Sequence, residues 1–204
     1  MKTIKNLLFD LGGVFLNIDY PKTVQAFTDL GVKNFDDLYS PSYASHLFEW
    51  LETGKIDPPF FYQSLRNKTN ISASDDEIKN AWNSMLLYFP LERIEWLDNI
   101  KHKYNVYLFS NTNIIHHKCF NEIFKKQTGK SNFENHFIKA YYSYELGLRK
   151  PHVASFYKVL EEQNLNAAET LFIDDTLKNI EGGKVVGLQT EYLCAPKTVL
   201  DLDL

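Results

Sequence analysis

The stretch Leu7-Leu8-Phe9-Asp10-Leu11-Gly12-Gly13-Val14 decides how this chain is read. An apolar run with no helical period reads as a strand buried on both faces. It ends on a carboxylate, and two glycines follow. They let the chain turn sharply and let another group approach the backbone. Asp10 therefore falls at the carboxyl end of a strand, the edge of an open parallel sheet where ligands bind. Asp close to Gly is also ordinary turn chemistry. The functional reading then depends on whether other strands end the same way.

Working outward, no convincing strand is found from Pro21 to Ile100. Helical patterns run from Thr23 to Leu30, Tyr43 to Glu52, Pro58 to Asn67, Asp75 to Leu87 and Leu91 to Lys101. Ser74 with Glu77 reads as a capping box, Asp57-Pro58 as a helix start and Thr53-Gly54 as a stop. About 80 residues of helix between two strands exceed a simple crossover, so much of the span is expected to form a separate lobe. Val106 to Phe109 is the next strand, followed by a helix near Ile115 to Lys126 and a short strand near Phe137 to Tyr141. After Arg149-Lys150-Pro151 comes a helix from His152 to Gln163, then a strand from Thr170 to Ile173 ending on Asp174-Asp175. A helix with Ile180 and Val185 inward leads to a last strand, Gln189 to Leu193. Short apolar strands alternating with helices predict an α/β fold with a parallel sheet.

Three strands thus end in chemistry, at Asp10, at Ser110-Asn111 and at Asp174-Asp175, and Lys150 opens a helix between the last two. A parallel sheet brings all four to one edge. Packed carboxylates repel unless a cation sits among them, and hard oxygen ligands suit Mg²⁺. Lys150 and the Ser110 hydroxyl are left to hold a phosphate oxygen. A carboxylate nucleophile, a divalent cation and a phosphate clamp mean phosphoryl transfer through an aspartyl phosphate. Each piece has a plainer reading. Ser-Asn after a strand and Asp174-Asp175 before a helix both make caps, and a lysine before proline is commonly solvated. Asn179, one turn past Asp175, either orients the site or is a surface asparagine. The coincidence on one edge favours a site.

The bulk numbers fit. The chain has 204 residues, is 44% apolar and 24% charged, and carries a net charge of −4. That is an ordinary globular composition, long enough for one domain with a large insertion. With no basic run, nucleic acid is not expected as a partner. No stretch reaches the ~18 apolar residues of a membrane span, so no membrane partner is expected either. A first strand near Ile4 leaves no room for a signal peptide. Cys119 and Cys194 lack metal spacing and read as free, buried thiols, which predicts a cytoplasmic protein. A monomer and a homodimer both remain open.

The order D-L-G-G-V, S-N-T-N, R-K-P, F-I-D-D-T resembles the haloacid dehalogenase-like hydrolase superfamily. The resemblance implies a Rossmann-like core over 1–16 and 100–204 and a mobile helical cap over 17–99. D-L-G-G-V with L-G-L-R-K-P most resembles bacterial phosphatases of α-D-glucose 1-phosphate. The superfamily resemblance implies Asp10 as nucleophile and metal ligand, Gly12 as a carbonyl ligand, Ser110 and Asn111 as phosphoryl holders, and Lys150 as the neutralising cation. Asp175 would bind Mg²⁺ directly and Asp174 through water.

One departure matters. Phosphatases of the superfamily usually carry an acid–base Asp two residues after the nucleophile, where this chain has Gly12. Such an acid contributes ~10²–10⁴-fold in rate. Three readings follow: a phosphatase for esters with good leaving groups, such as a hexose 1-phosphate, with an acid from cap or solvent an option; a metal-independent 2-haloacid dehalogenase, against which the Asp174-Asp175 pair argues; or a scaffold that binds a phospho-ligand without turnover. A receiver domain is excluded because its acidic pair comes first and its lysine last. In the insertion, Glu49 and Trp50 share a helix face with His46 and are candidate substrate contacts, as is Tyr20. Trp50 as cap core and Glu49 as a solvated charge are the plainer alternatives. Phe60, Phe61, Trp82, Met85 and Leu86 are expected in the cap core.

Overall fold

The structure is a computed structural model that describes residues 3–40 and 43–204. Residues 1–2, inside the expected core span, and 41–42, inside the expected cap span, lie outside the described residues. The strands are β1 (Asn6–Phe9), β2 (Tyr39–Ser40), β3 (Tyr43–Ala44), β4 (Asn105–Ser110), β5 (Lys139–Tyr142), β6 (Thr170–Asp174) and β7 (Gln189–Tyr192). The helices are α1 (Tyr20–Asp29), α2 (His46–Glu52), α3 (Pro58–Thr69), α4 (Asp75–Asn83), α5 (Leu91–Ile100), α6 (Ile114–Thr128), α7 (Ser143–Leu146), α8 (Val153–Glu162) and α9 (Leu177–Val185).

The main sheet runs β5-β4-β1-β6-β7 with every pair parallel. β1 is central and buried along its whole length. Its side chains alternate between two cores, as a pleated strand requires. Leu7 and Phe9 join Ile94 and Leu97 of α5 and Phe120 and Phe124 of α6 on one face. Leu8 joins Phe156, Val159 and Leu160 of α8 and Ile180 of α9 on the other. This is the Rossmann-like α/β arrangement expected from the alternation of elements.

A third hydrophobic cluster is built mostly from the insertion and takes in Ile115 of α6. Phe27, Phe35, Phe48, Phe61, Leu65, Ile78 and Trp82 are all fully or almost fully buried there. Phe48 packs edge-on to Trp82 at 5.0 Å and Phe61 at 5.1 Å between ring centroids. Ser74 and Glu77 form the expected capping box, and Asp57 accepts from Phe60 N at 2.9 Å.

Several local readings are corrected. The expected helix from Tyr43 begins only at His46, because Tyr39–Ser40 and Tyr43–Ala44 pair as a short antiparallel ladder. α5 falls within the span assigned to the cap, yet its Ile94, Leu97 and Ile100 pack on the sheet. Hydrophobic packing thus groups residues 20–85 together and gives α5 to the core. Val185, expected inward, is 69% exposed, and Phe60, expected in the cap core, is 51% exposed. Cys194 is exposed, not buried.

Candidate functional site

The parallel register builds the site. Phe9 pairs with Ile173, and the Asp10 amide donates to the Ile173 carbonyl at 2.9 Å. Asp10 and Asp174 therefore leave the sheet side by side. β4 lies on the other side of β1 and ends at Ser110, which is buried. Arg93 of α5 donates to the carbonyls of Gly13 and Val14 at 3.2 and 3.1 Å, fixing the loop after β1. Gly13 has φ +71, and a Cβ there would overlap the Asp175 carboxylate. Only glycine lets that loop close on the acid.

Lys150 is fully buried between two carboxylates. Its Nζ lies 2.6 Å from Asp10 Oδ1 and 2.7 Å from Asp174 Oδ2. Burial works against its charge, but the two aspartates outweigh that and hold its pKa above the usual lysine value. The solvated-lysine reading is thus overturned. Asp174 also accepts from the Thr176 amide at 2.7 Å and from Asn179 Nδ2 at 3.1 Å on each oxygen. Asn179 is therefore an orienting residue and not a surface asparagine. The Lys150–Pro151 peptide is cis.

Carboxylate oxygens of Asp10, Asp174 and Asp175 lie within 4.8 Å of one another. Three acids against one ammonium leave an excess of two negative charges. Burial, and then the neighbouring aspartates, push Asp10 up to about 7 against the pull of Lys150. Asp175 is raised to about 6, first by burial and then by Asp174. Carboxylates strained in this way fit a divalent hard cation, which relieves both the repulsion and the desolvation. Asp174 is the most committed to protein partners, and Asp175 is the most accessible.

These groups open onto a cleft of about 390 Å³, the size of a small-molecule site. Asp10, Gly12, Ser110, Asn111, Lys150 and Asp175 all line it, and so does Tyr20. The Asn111 side chain makes a closed pair with the Lys150 backbone, 2.9 Å in each direction. It holds the lysine loop against β4, so the Asn111 side-chain amide is already paired within the protein. The Tyr20 hydroxyl points toward the Tyr39 carbonyl and the Asp36 carboxylate.

Glu49 and Trp50 are not brought to the cleft. Trp50 is 41% exposed and stands beside His46 on the outer face of α2. The inner face carries Leu47, Phe48, Leu51 and Glu52. Glu52 lines the cleft, as do Tyr39, His116 and Arg149, none of which the sequence reading singled out. Glu52 could have been found: it stands one turn past Phe48 on the apolar face of α2. Arg149 adjoins Lys150, but only the fold shows where it points. His116 stacks on Trp82 at 4.4 Å, and its Nε2 meets the Trp82 carbonyl at 3.0 Å.

Comparison with known proteins places this geometry. A D-ribitol-5-phosphate phosphatase of Bacteroides thetaiotaomicron is 33% identical over 189 residues, covering 92% of this chain and 90% of that protein. A solved haloacid dehalogenase family enzyme of the same organism, an aspartate-to-alanine variant in complex with magnesium and inorganic phosphate, superposes with TM-score 0.88 at 34% identity, covering 95% of each chain. A predicted hydrolase of the same family from Porphyromonas gingivalis superposes with TM-score 0.85 at 25% identity, covering 94% of this chain and 91% of that one. The family model for haloacid dehalogenase-like hydrolases matches residues 4–187, and the chain belongs to that family.

Proposed function

We propose that this protein is a Mg²⁺-dependent phosphomonoester hydrolase for a small phosphorylated sugar or sugar alcohol, working through an aspartyl phosphate. The observation that carries the reading is the buried Lys150 bridging Asp10 and Asp174 at the mouth of a small-molecule cleft. A relative named for D-ribitol 5-phosphate and a similar structure holding magnesium and phosphate support it. A hexose 1-phosphate belongs to the same chemical class and stays among the substrates to test.

Asp10, the Gly12 carbonyl and Asp175 would hold the metal, with Asp174 behind them. The cation supplies charge neutralisation at the transferring phosphoryl group. An Asp10 oxygen attacks phosphorus as the ester P–O bond breaks, and the leaving oxygen, with no acid at Gly12 to protonate it, departs carrying negative charge and takes its proton from water. Lys150 balances charge on Asp10 and on the phosphoryl oxygens, which the Ser110 hydroxyl and the Asn111 backbone N–H would help to hold. Water then attacks phosphorus, releasing inorganic phosphate and restoring the Asp10 carboxylate. The helical unit over the cleft acts as the cap, excluding bulk water during these steps. Among the described residues no helix is long and apolar enough to cross a membrane.

The test is phosphate release from D-ribitol 5-phosphate, glucose 1-phosphate and an aryl phosphate, with Mg²⁺ and with EDTA. Metal-dependent release that Asp10→Asn abolishes is expected. Release that survives Asp10→Asn would overturn the covalent route.

A further inference from the structure

Glu52, from the cap helix α2, and Arg149, from the loop that carries Lys150, meet as an ion pair in the lining of the cleft. Glu52 Oε2 lies 3.0 Å from an Arg149 guanidinium nitrogen, with the Glu52 side chain 3% exposed and that of Arg149 19% exposed. Glu52 Oε1 accepts from the Tyr39 hydroxyl at 3.0 Å. The contact between the charged pair is close but poorly aligned. Glu52 Oε2 and Arg149 Nε are both buried and have no directional hydrogen-bond partner. A pair kept only to dock cap on core would have those atoms satisfied, since unmet buried polar groups are costly. Both residues line the cleft that Asp10 and Lys150 occupy.

We propose that Glu52 and Arg149 together bind neighbouring hydroxyl groups of the substrate's carbon chain, and so select a polyhydroxylated phosphate over a plain alkyl one. The inference rests on the phosphatase reading for the placement of the phosphate. One hydroxyl donates to Glu52 Oε2, and another accepts from Arg149. A carboxylate beside a guanidinium supplies the acceptor and the donor that adjacent hydroxyls need, at charge-assisted strength. A chain without hydroxyls leaves Glu52 Oε2 and the Arg149 Nε without an aligned hydrogen-bond partner, and sites built to hydrogen-bond a hydroxyl discriminate strongly against analogues that lack it. Because one partner sits on the cap and the other on the core, the same hydroxyls favour the closed arrangement. Tyr39 is a positioning residue, donating to Oε1 and so fixing the Glu52 carboxylate beside Arg149.

The experiment is calorimetric binding in Mg²⁺ to Asp10→Asn protein, which holds ligands without consuming them. The ligands are D-ribitol 5-phosphate, glucose 1-phosphate and n-pentyl phosphate, tested with and without Glu52→Gln, and separately with Tyr39→Phe. The parent is expected to bind at least one hydroxylated phosphate more tightly than pentyl phosphate. Glu52→Gln should cut that ratio by on the order of tenfold to hundredfold, and Tyr39→Phe by less. Circular dichroism melts confirm that the variants fold. Equal binding of all three phosphates, or a ratio that Glu52→Gln leaves unchanged, overturns the proposal. If Glu52→Gln fails to fold, loss of the ratio in Tyr39→Phe decides for it and an unaltered ratio against it. Wild-type turnover of p-nitrophenyl phosphate is measured alongside. Its absence, with the hydroxyl preference intact, would refute the phosphatase reading and leave the hydroxyl site standing.

Discussion

Lys150 and Asp174 form an ion pair with both side chains fully buried, Nζ to Oδ2 2.7 Å. Asp10 shares the same ammonium at 2.6 Å. Removing one partner of a buried pair leaves an uncompensated charge, which costs about 3–5 kcal/mol. Here two carboxylates would lose their counter-ion together. Lys150→Met is therefore expected to lower stability by about 3–5 kcal/mol, read as a shift of the urea midpoint. It should also lower kcat by about 10²–10³-fold, the loss seen when a donor aimed at developing charge is removed. A variant with normal stability and normal turnover would show that the lysine is only a structural neighbour.

Acid and metal should compete for the same oxygens. Asp10, raised to about 7, and Asp175, raised to about 6, keep protons in the folded, metal-free protein where the unfolded chain has lost them. Between about pH 4 and pH 7 the native state then binds more protons than the unfolded state, so this contribution to stability falls as pH rises. Mg²⁺ binds only the deprotonated acids and reverses the trend. The difference in Tm between Mg²⁺ and EDTA is expected to be small at pH 5 and to grow up to about pH 7, the Asp10 value. Thermal melts in paired buffers measure it. A difference independent of pH would mean that these carboxylates do not hold the cation.

The contact between α4 and α6 carries its own pH signature. Burial lowers the His116 pKa to about 4, against the Trp82 carbonyl that accepts from its ring. The unfolded chain protonates near 6.5, so it binds more protons than the native state between those values. Stability from His116 is full above about pH 6.5 and is lost as pH falls toward 4, by on the order of 3 kcal/mol in total. His116→Gln keeps a donor for the Trp82 carbonyl and removes the titration. Chemical denaturation from pH 4 to 7 should show wild type losing stability relative to the variant on acidification. Parallel curves would place the acid sensitivity elsewhere.

The candidate site's edge was legible because strands and chemistry coincide in the chain. β1, β4 and β6 are apolar runs that stop at Asp10, Ser110 and Asp174. Register alone then brings Asp10 beside Asp174. The cap side was less legible because burial on a helix is set by what packs over it. Trp50 is large and apolar yet faces solvent, while Glu52 is charged and buried. Sequence reading followed residue type, but Phe48, Leu51 and Glu52 share the inward face of α2. The β2–β3 ladder has two residues per strand, too few for a period-two signal to emerge. The family resemblance implies Asn111 as a phosphoryl holder. Its side-chain amide pairs with the Lys150 backbone, a long-range pairing that no local pattern announces.

Gly12 leaves the chemistry without the acid that the family pattern supplies two residues after the nucleophile. Its backbone is not in the left-handed region, and a Cβ there would meet Ile18 Cγ1 at 3.4 Å and Asp10 Oδ2 at 3.9 Å. A side chain is therefore admissible if Ile18 gives slightly. Without a general acid, the leaving oxygen departs carrying more negative charge, so rate should fall steeply as the basicity of the leaving alcohol rises. Gly12→Asp is expected to flatten that dependence. It should raise kcat on a simple alkyl phosphate by about tenfold or more, below the full ~10²–10⁴-fold of a positioned acid because a fourth carboxylate joins a crowded site. The measurement is kcat/KM across aryl and alkyl phosphates of graded leaving-group pKa, for both proteins. A flat wild-type dependence would mean that another group in the closed cleft already donates the proton.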